Sequence, residues 1–185
     1  MIVTHNREKL LNAIIYFSEN AGLLNKTRLY KLLYLLDFEH FKETGRSVTG
    51  LEFHAWEMGP VPVALEEELD SPKDDFVDNI RIEIVQNKRQ YNPSINLHPK
   101  SKFDSKHFTK RELRILNSIA EKHGMCSTDD LIRLTHQEGQ PWHKVWEIEK
   151  RQYDEIPYEY ILDDNEKDLI KSLNSEREEF IKNYK

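Results

Sequence analysis

Eight histidines, one cysteine and a few adjacent carboxylates are the side chains of this 185-residue chain from which a reaction centre could be assembled. A metal centre needs ligands at a workable spacing on one element. His136 and His143 are seven positions apart, which would align them on a single helix, but Gly139 and Pro141 lie between them and interrupt it. No C-x-x-C and no H-E-x-x-H occurs. Cys126 and His123 are three apart, a spacing that suits a thiolate and its base, yet Gly124 breaks the helix there and no third group orients the imidazole. The pairs Asp74-Asp75 and Asp163-Asp164 sit in polar stretches, where carboxyls keep ordinary acidity and make poor acid-base catalysts. The glycine loops that cradle phosphates and the G-x-S-x-G elbow are absent. The expectation is a protein with no catalytic residues, no metal and no cofactor.

Binding is the alternative to catalysis. Thr109-Lys110-Arg111-Glu112 has the capping-box spacing, Gly124 closes the helix it starts, and Ser127-Thr128-Asp129-Asp130 opens another. The hairpin over 109–136 therefore has the outline of half a winged helix and suggests, as an alternative, a DNA-binding transcriptional regulator. Asp129 and Asp130 would meet phosphates unfavourably, and the formal net charge is −6. A plain helical hairpin is the better reading, and nucleic acid is disfavoured as a partner. From Asp154 onward ten acidic residues stand against five basic ones. That stretch suits a basic protein surface, or equally a solvated helix face.

The elements that would position any site are mostly helical. Leu10, Leu11, Ile14, Ile15 and Phe17 predict a helix over about 6–20, with Gly22 after it. Asn25 suits the N-cap of a second helix ending at Thr44-Gly45, whose apolar residues from Leu29 to Phe41 cover more than one face and make it central. Alternation at Leu51, Phe53 and Ala55 predicts a short strand. Gly59-Pro60-Val61-Pro62 should not continue it, because two prolines remove two amide donors. A short helix through Val63, Leu65 and Leu69 follows, then an exposed loop over 70–78. Ile80, Ile82 and Ile84 predict one arm of a hairpin returning through Gln90-Tyr91-Asn92, and 92–106 reads as irregular. Pro141 starts a helix with Trp142, Val145, Trp146 and Ile148, and a last helix runs from about Asp164, with Leu169, Leu173, Phe180 and Tyr184 near one side. The fold class is mainly α: a single compact helical domain with a small antiparallel β element. The domain spans 1–153, with strands near 51–58 and 80–92, and an acidic helical extension over 154–185 packs on it.

No apolar run reaches the ~18 residues that cross a bilayer, the first residues lack the charged-then-apolar order of a signal peptide, and Cys126 has no internal partner. A soluble cytoplasmic protein without membrane contact is expected.

Lys31-Leu32-Leu33-Tyr34-Leu35-Leu36-Asp37, then Gly45, Thr49-Gly50, Ala55-Trp56, Gly59-Pro60-Val61-Pro62 and the later Gly139-Gln140-Pro141-Trp142 resemble the Panacea, or SocA-like, antitoxin domain. The likeness runs from about residue 8 to about residue 150. It implies a mostly helical antitoxin, prophage-borne in some members, that neutralises a cognate protein toxin by direct binding. It implies no cofactor; hand-over of the toxin to a protease, as an adaptor, is a further implication. Among the matched residues, Tyr34, Asp37, Trp56, Met58, Gly59, Pro60, Val61, Pro62 and Trp142 are the candidate partner-binding set. Trp56, Met58 and the Gly-Pro corner would form a stiff apolar bend that binds at low entropic cost. Trp56 reads better as a core plug, and Tyr34 and Asp37 could hold the bend from within rather than meet a partner.

Overall fold

Two helices fill the middle of the molecule, and the elements that carry the candidate site are stacked against the second. The structure is a computed structural model describing residues 5–86 and 94–183. Helix α1 spans Asn6–Asn20 and buries Leu10, Leu11, Ala13, Ile14, Ile15 and Phe17. Helix α2 spans Lys26–Thr44, starts where the Asn25 side chain accepts from the Arg28 amide, and ends at Gly45, whose φ of 69° lies in the left-handed region that favours glycine. Its buried residues run around the whole cylinder, from Leu29, Leu32 and Leu36 on one side to Lys31, Tyr34 and Phe38 on another, as expected of a central helix.

Strands β1, Phe53–Trp56, and β2, Gly59–Pro62, pair antiparallel with Phe53 opposite Pro62 and Ala55 opposite Pro60. The expectation that the Gly59–Pro62 segment leaves the sheet is therefore wrong. The register explains why. Phe53 and Ala55 direct their backbone groups away from β2, toward the 153–156 segment: Ala55 donates to the Asp154 carbonyl at 2.9 Å, and Tyr153 and Ile156 donate back to Ala55 and Phe53 at 2.8 and 2.7 Å. Both prolines sit opposite these residues, at pairs that exchange no hydrogen bond across the strands, so the missing amides are not needed by the ladder.

Helix α3, Val63–Asp70, follows as expected, with Leu65 and Leu69 buried. The stretch expected as a loop instead contains helix α4, Asp74–Asn79, which buries Phe76. Arg7 fixes this helix by reaching Glu68 on α3 and Asp75 on α4, at 2.6 and 2.7 Å. Local polarity hid it, because one buried Phe and one long-range ion pair decide it. Strand β3, Ile80–Val85, pairs antiparallel with β4, Ser94–Pro99. Its partner thus lies inside the segment read as irregular. The Gln90-Tyr91-Asn92 turn falls outside the described residues.

Helix α5, Lys110–His123, begins with the full Thr109–Glu112 capping box, and α6, Thr128–His136, with a second one between Ser127 and Asp130. Helix α7, Pro141–His143, runs on as a π-helical turn over Lys144–Ile148. Helix α8, Asp164–Asn183, touches α2 through Lys42–Glu166 and buries Ile170, while Leu169 and Leu173 are exposed. The architecture is mainly α, with two small two-stranded antiparallel sheets.

Candidate functional site

The corner between β1 and β2 is built on a buried amine. Lys31, inside α2 and fully buried, donates from Nζ to the Pro60 carbonyl at 3.0 Å. That carbonyl is free for it because β1 does not use it. Gly59 has φ +99°, and a Cβ there would lie 2.7 Å from Lys31 Cε and 3.1 Å from His136 Nε2, so only glycine lets the turn close on the amine. Burial pulls the Lys31 pKa down to about 7, because an ammonium out of water is disfavoured. Burial also lowers His136, to about 4, with Lys31 adding to the effect. The His136 ring lies flat on Trp142 at 3.6 Å, and Trp142 Nε1 donates to the Trp56 carbonyl at 2.9 Å. The corner is therefore locked from α2, α6 and α7 at once.

Above this lock lies an aromatic surface. Trp142 stacks on Trp146 at 5.5 Å, Trp146 meets Tyr153 edge-on at 5.6 Å, and Tyr153 meets Trp56 edge-on at 6.3 Å. All three tryptophans of the chain are thus at one corner. Trp142 is buried, Trp56 and Trp146 are half-buried, and Met58, Ile148 and Tyr153 are more than half exposed. Tyr153 and Lys150 both have positive φ, at 68° and 55°, which is uncommon for residues with a side chain. The Lys144–Ile148 π-turn and this left-handed loop together bring Trp146 and Tyr153 into contact. The surrounding charge is mixed but acidic in balance: Glu57, Glu147, Glu149, Asp154 and Glu155 against Lys150 and Arg151.

Asp37 works elsewhere. Its carboxylate accepts from the Val48 and Thr49 amides at 2.8 and 2.9 Å, from the Thr49 hydroxyl, and from Tyr158 at 3.3 Å. Tyr158 also donates to the Leu51 carbonyl at 2.6 Å. Burial raises the Asp37 pKa to about 6 against these donors, which favour the ionised form. Asp37 therefore holds the Thr49-Gly50 turn rather than the Gly-Pro bend. The Tyr34 hydroxyl is buried beside the Trp142 backbone without a full hydrogen bond among the described residues, and burial raises its pKa.

Of the predicted partner-binding residues, Tyr34, Asp37, Gly59, Pro60, Val61, Pro62 and Trp142 are buried, Trp56 is half-buried and Met58 is exposed. The structure brings Trp56, Met58, the Gly-Pro corner and Trp142 together, and shows most of them to be the platform rather than its surface. Sequence reasoning missed Lys31, Trp146, Ile148 and Tyr153 as parts of the site. A lysine on the buried face of an apolar helix was a usable signal for Lys31. Tyr153 is legible only from the fold. In the 109–136 hairpin, the Asp130 carboxylate accepts from the Ser127 amide and hydroxyl and pairs with Arg133, so the one arginine of α6 is already neutralised. Among the described residues no group of three or more potential metal ligands is gathered, and no helix is long and apolar enough to cross a membrane.

These features define a mainly helical domain organised around a locked Gly-Pro corner. The model of the family described as antitoxin SocA-like, Panacea domain matches residues 29–143, and the chain belongs to that family. The match takes in α2 from Leu29 onward, the β1–β2 corner and α7, while Trp146, Ile148 and Tyr153 lie beyond its end. No curated protein and no solved structure matches significantly.

Proposed function

We propose that this chain is an antitoxin that neutralises one cognate protein toxin by forming a lasting stoichiometric complex, without catalysis, in the cytoplasm. Family membership supports the general antitoxin role. The observation that carries the binding mode is the aromatic contact of exposed Tyr153 with half-buried Trp56 and Trp146, beside exposed Met58 in the turn that follows Trp56. Aromatic anchors fixed by their own packing lose little freedom on binding and leave water readily. The acidic rim suits a basic toxin surface. On this reading the 154–185 extension packs on the same domain and adds to that rim.

Co-expression with the product of an adjacent reading frame tests the proposal. The chain should restore growth and co-purify with that product at equal stoichiometry. Met58→Glu should weaken the complex and leave the circular dichroism spectrum unchanged, because Met58 is 57 % exposed. Rescue at toxin excess, with no lasting complex, would mean that the chain modifies its partner, and the binding mechanism would fall.

A further inference from the structure

A second surface lies away from the corner. The last turn of α2, the first turn of α5 and the middle of α8 converge on an open groove of about 1000 Å³. Its charge is opposite to that of the protein as a whole. Lys9, Arg46, Lys110, Arg111 and Arg177 line it, against Glu43 and Glu112, in a chain of net charge −6. Lys9 is taken by Glu112 at 2.6 Å, and Glu43 is shared by Arg111 and Arg114 at 3.7 and 2.5 Å. Arg46 and Arg177 both line the groove and have no carboxylate partner among the described residues; burial, and then the like charge of Arg177, hold the Arg46 pKa below its ordinary value. Two like charges lining one groove without a counter-ion leave a place for an anion.

The walls indicate what kind. Phe41 and Tyr158 stack at 5.1 Å in the lining, and Leu173 adds an apolar contact that is 40 % exposed. Leu173, Asn174 and Arg177 on one wall, and His40, Phe41 and Thr44 on the other, repeat at one-turn spacing, which makes a trough along two helices. At the N-terminus of α5 the capping box already occupies the Thr109 and Glu112 amides, and the Glu112 carboxylate stands in the wall. A compact polyphosphate would meet that carboxylate. Spaced carboxylates on an extended chain would not.

We infer that the groove between α2, α5 and α8 binds an acidic peptide segment of the partner protein, with carboxylates on Arg46 and Arg177 and an apolar side chain on Phe41 and Tyr158. The inference rests on the antitoxin reading for the owner of that segment.

The test uses the full chain and a fluorescein-labelled peptide of glutamates and leucines, read by anisotropy. The peptide should bind, more weakly as salt rises, and a lysine–leucine peptide should not. Arg46→Glu with Arg177→Glu should weaken binding at least about tenfold with the circular dichroism spectrum unchanged, and Met58→Glu should leave it intact. Unaltered peptide binding by the double variant, or displacement of the peptide by ATP as readily as by unlabelled peptide, would overturn the inference. In the growth assay the double variant should lose rescue. Full rescue by it, beside full rescue by the unaltered chain, would remove the groove from the interface and leave the antitoxin reading standing. Failure of the unaltered chain to rescue is instead failure of that reading, and peptide binding then decides the groove by itself.

Discussion

Replacing Lys31 with methionine should make the protein more stable below neutral pH and less stable above pH 10. The folded chain releases the Lys31 proton near pH 7, against an ordinary value of 10.5. Between these values the unfolded chain binds more protons, so stability rises with pH across that window; below it, the full burden of a buried ammonium is present. The interval corresponds to about 5 kcal/mol, at about 1.36 kcal/mol per tenfold change in acidity, as an upper bound. Methionine keeps the length of the side chain and removes the charge. It also leaves the Pro60 carbonyl, which Lys31 reaches at 3.0 Å, without its donor, a loss of about 1–3 kcal/mol. At pH 6 the first effect wins, and Lys31→Met should gain about 2–4 kcal/mol. Above pH 10.5 only the second remains, and the variant should be weaker by about 1–3 kcal/mol. Urea unfolding of both proteins across this range measures the difference directly. His136 contributes its own pH dependence between about 4 and 6.5, below the Lys31 window. A constant difference between the two proteins at every pH would refute the reasoning, because it would mean that Lys31 keeps the same charge folded and unfolded.

Asp37→Ala should destabilise by about 3–5 kcal/mol in thermal unfolding, since the Val48 and Thr49 amides and two hydroxyls lose a common acceptor. Asp37→Asn, which keeps one acceptor oxygen, should be milder. In unaltered protein the raised Asp37 pKa of about 6 should make stability fall as pH rises from 3.8 to 6, a local contribution that Asp37→Asn removes. Val61→Asp should unfold the domain by circular dichroism rather than leave a folded, non-binding protein, because Val61 is 7 % exposed and an unpaired carboxylate there has no water. Gly59→Ala should lose about 1–3 kcal/mol in urea unfolding, since φ is +99° and the new methyl meets Lys31.

Helices with strong periodicity and good caps were legible residue by residue. The first helix has the bounds that Leu10 to Phe17 predict, and Asn25, Thr109 and Ser127 cap the helices they were expected to start. These signals are local: a side chain and an amide three positions on, or an apolar residue every third or fourth place. Helix α4 and strand β4 were missed because their stability comes from distant residues. Arg7 lies far along the chain from Asp75, and Leu97 donates its amide to the Leu24 carbonyl. The prolines of β2 argued correctly that two donors were missing and wrongly that the ladder required them.

By itself, then, the sequence determined the family, the mainly helical class and the central place of the second helix, because each depends on residue types at short, fixed spacings. Only the tertiary structure decided which side of that corner faces water. Val61 and Trp142 turn inward while Met58, Ile148 and Tyr153 turn out, and Arg46, just after α2, and Arg177 of α8 are brought to one groove. The physical reason is that exposure belongs to the packing of whole elements. A short motif fixes the path of the backbone but not what the rest of the chain lays over it.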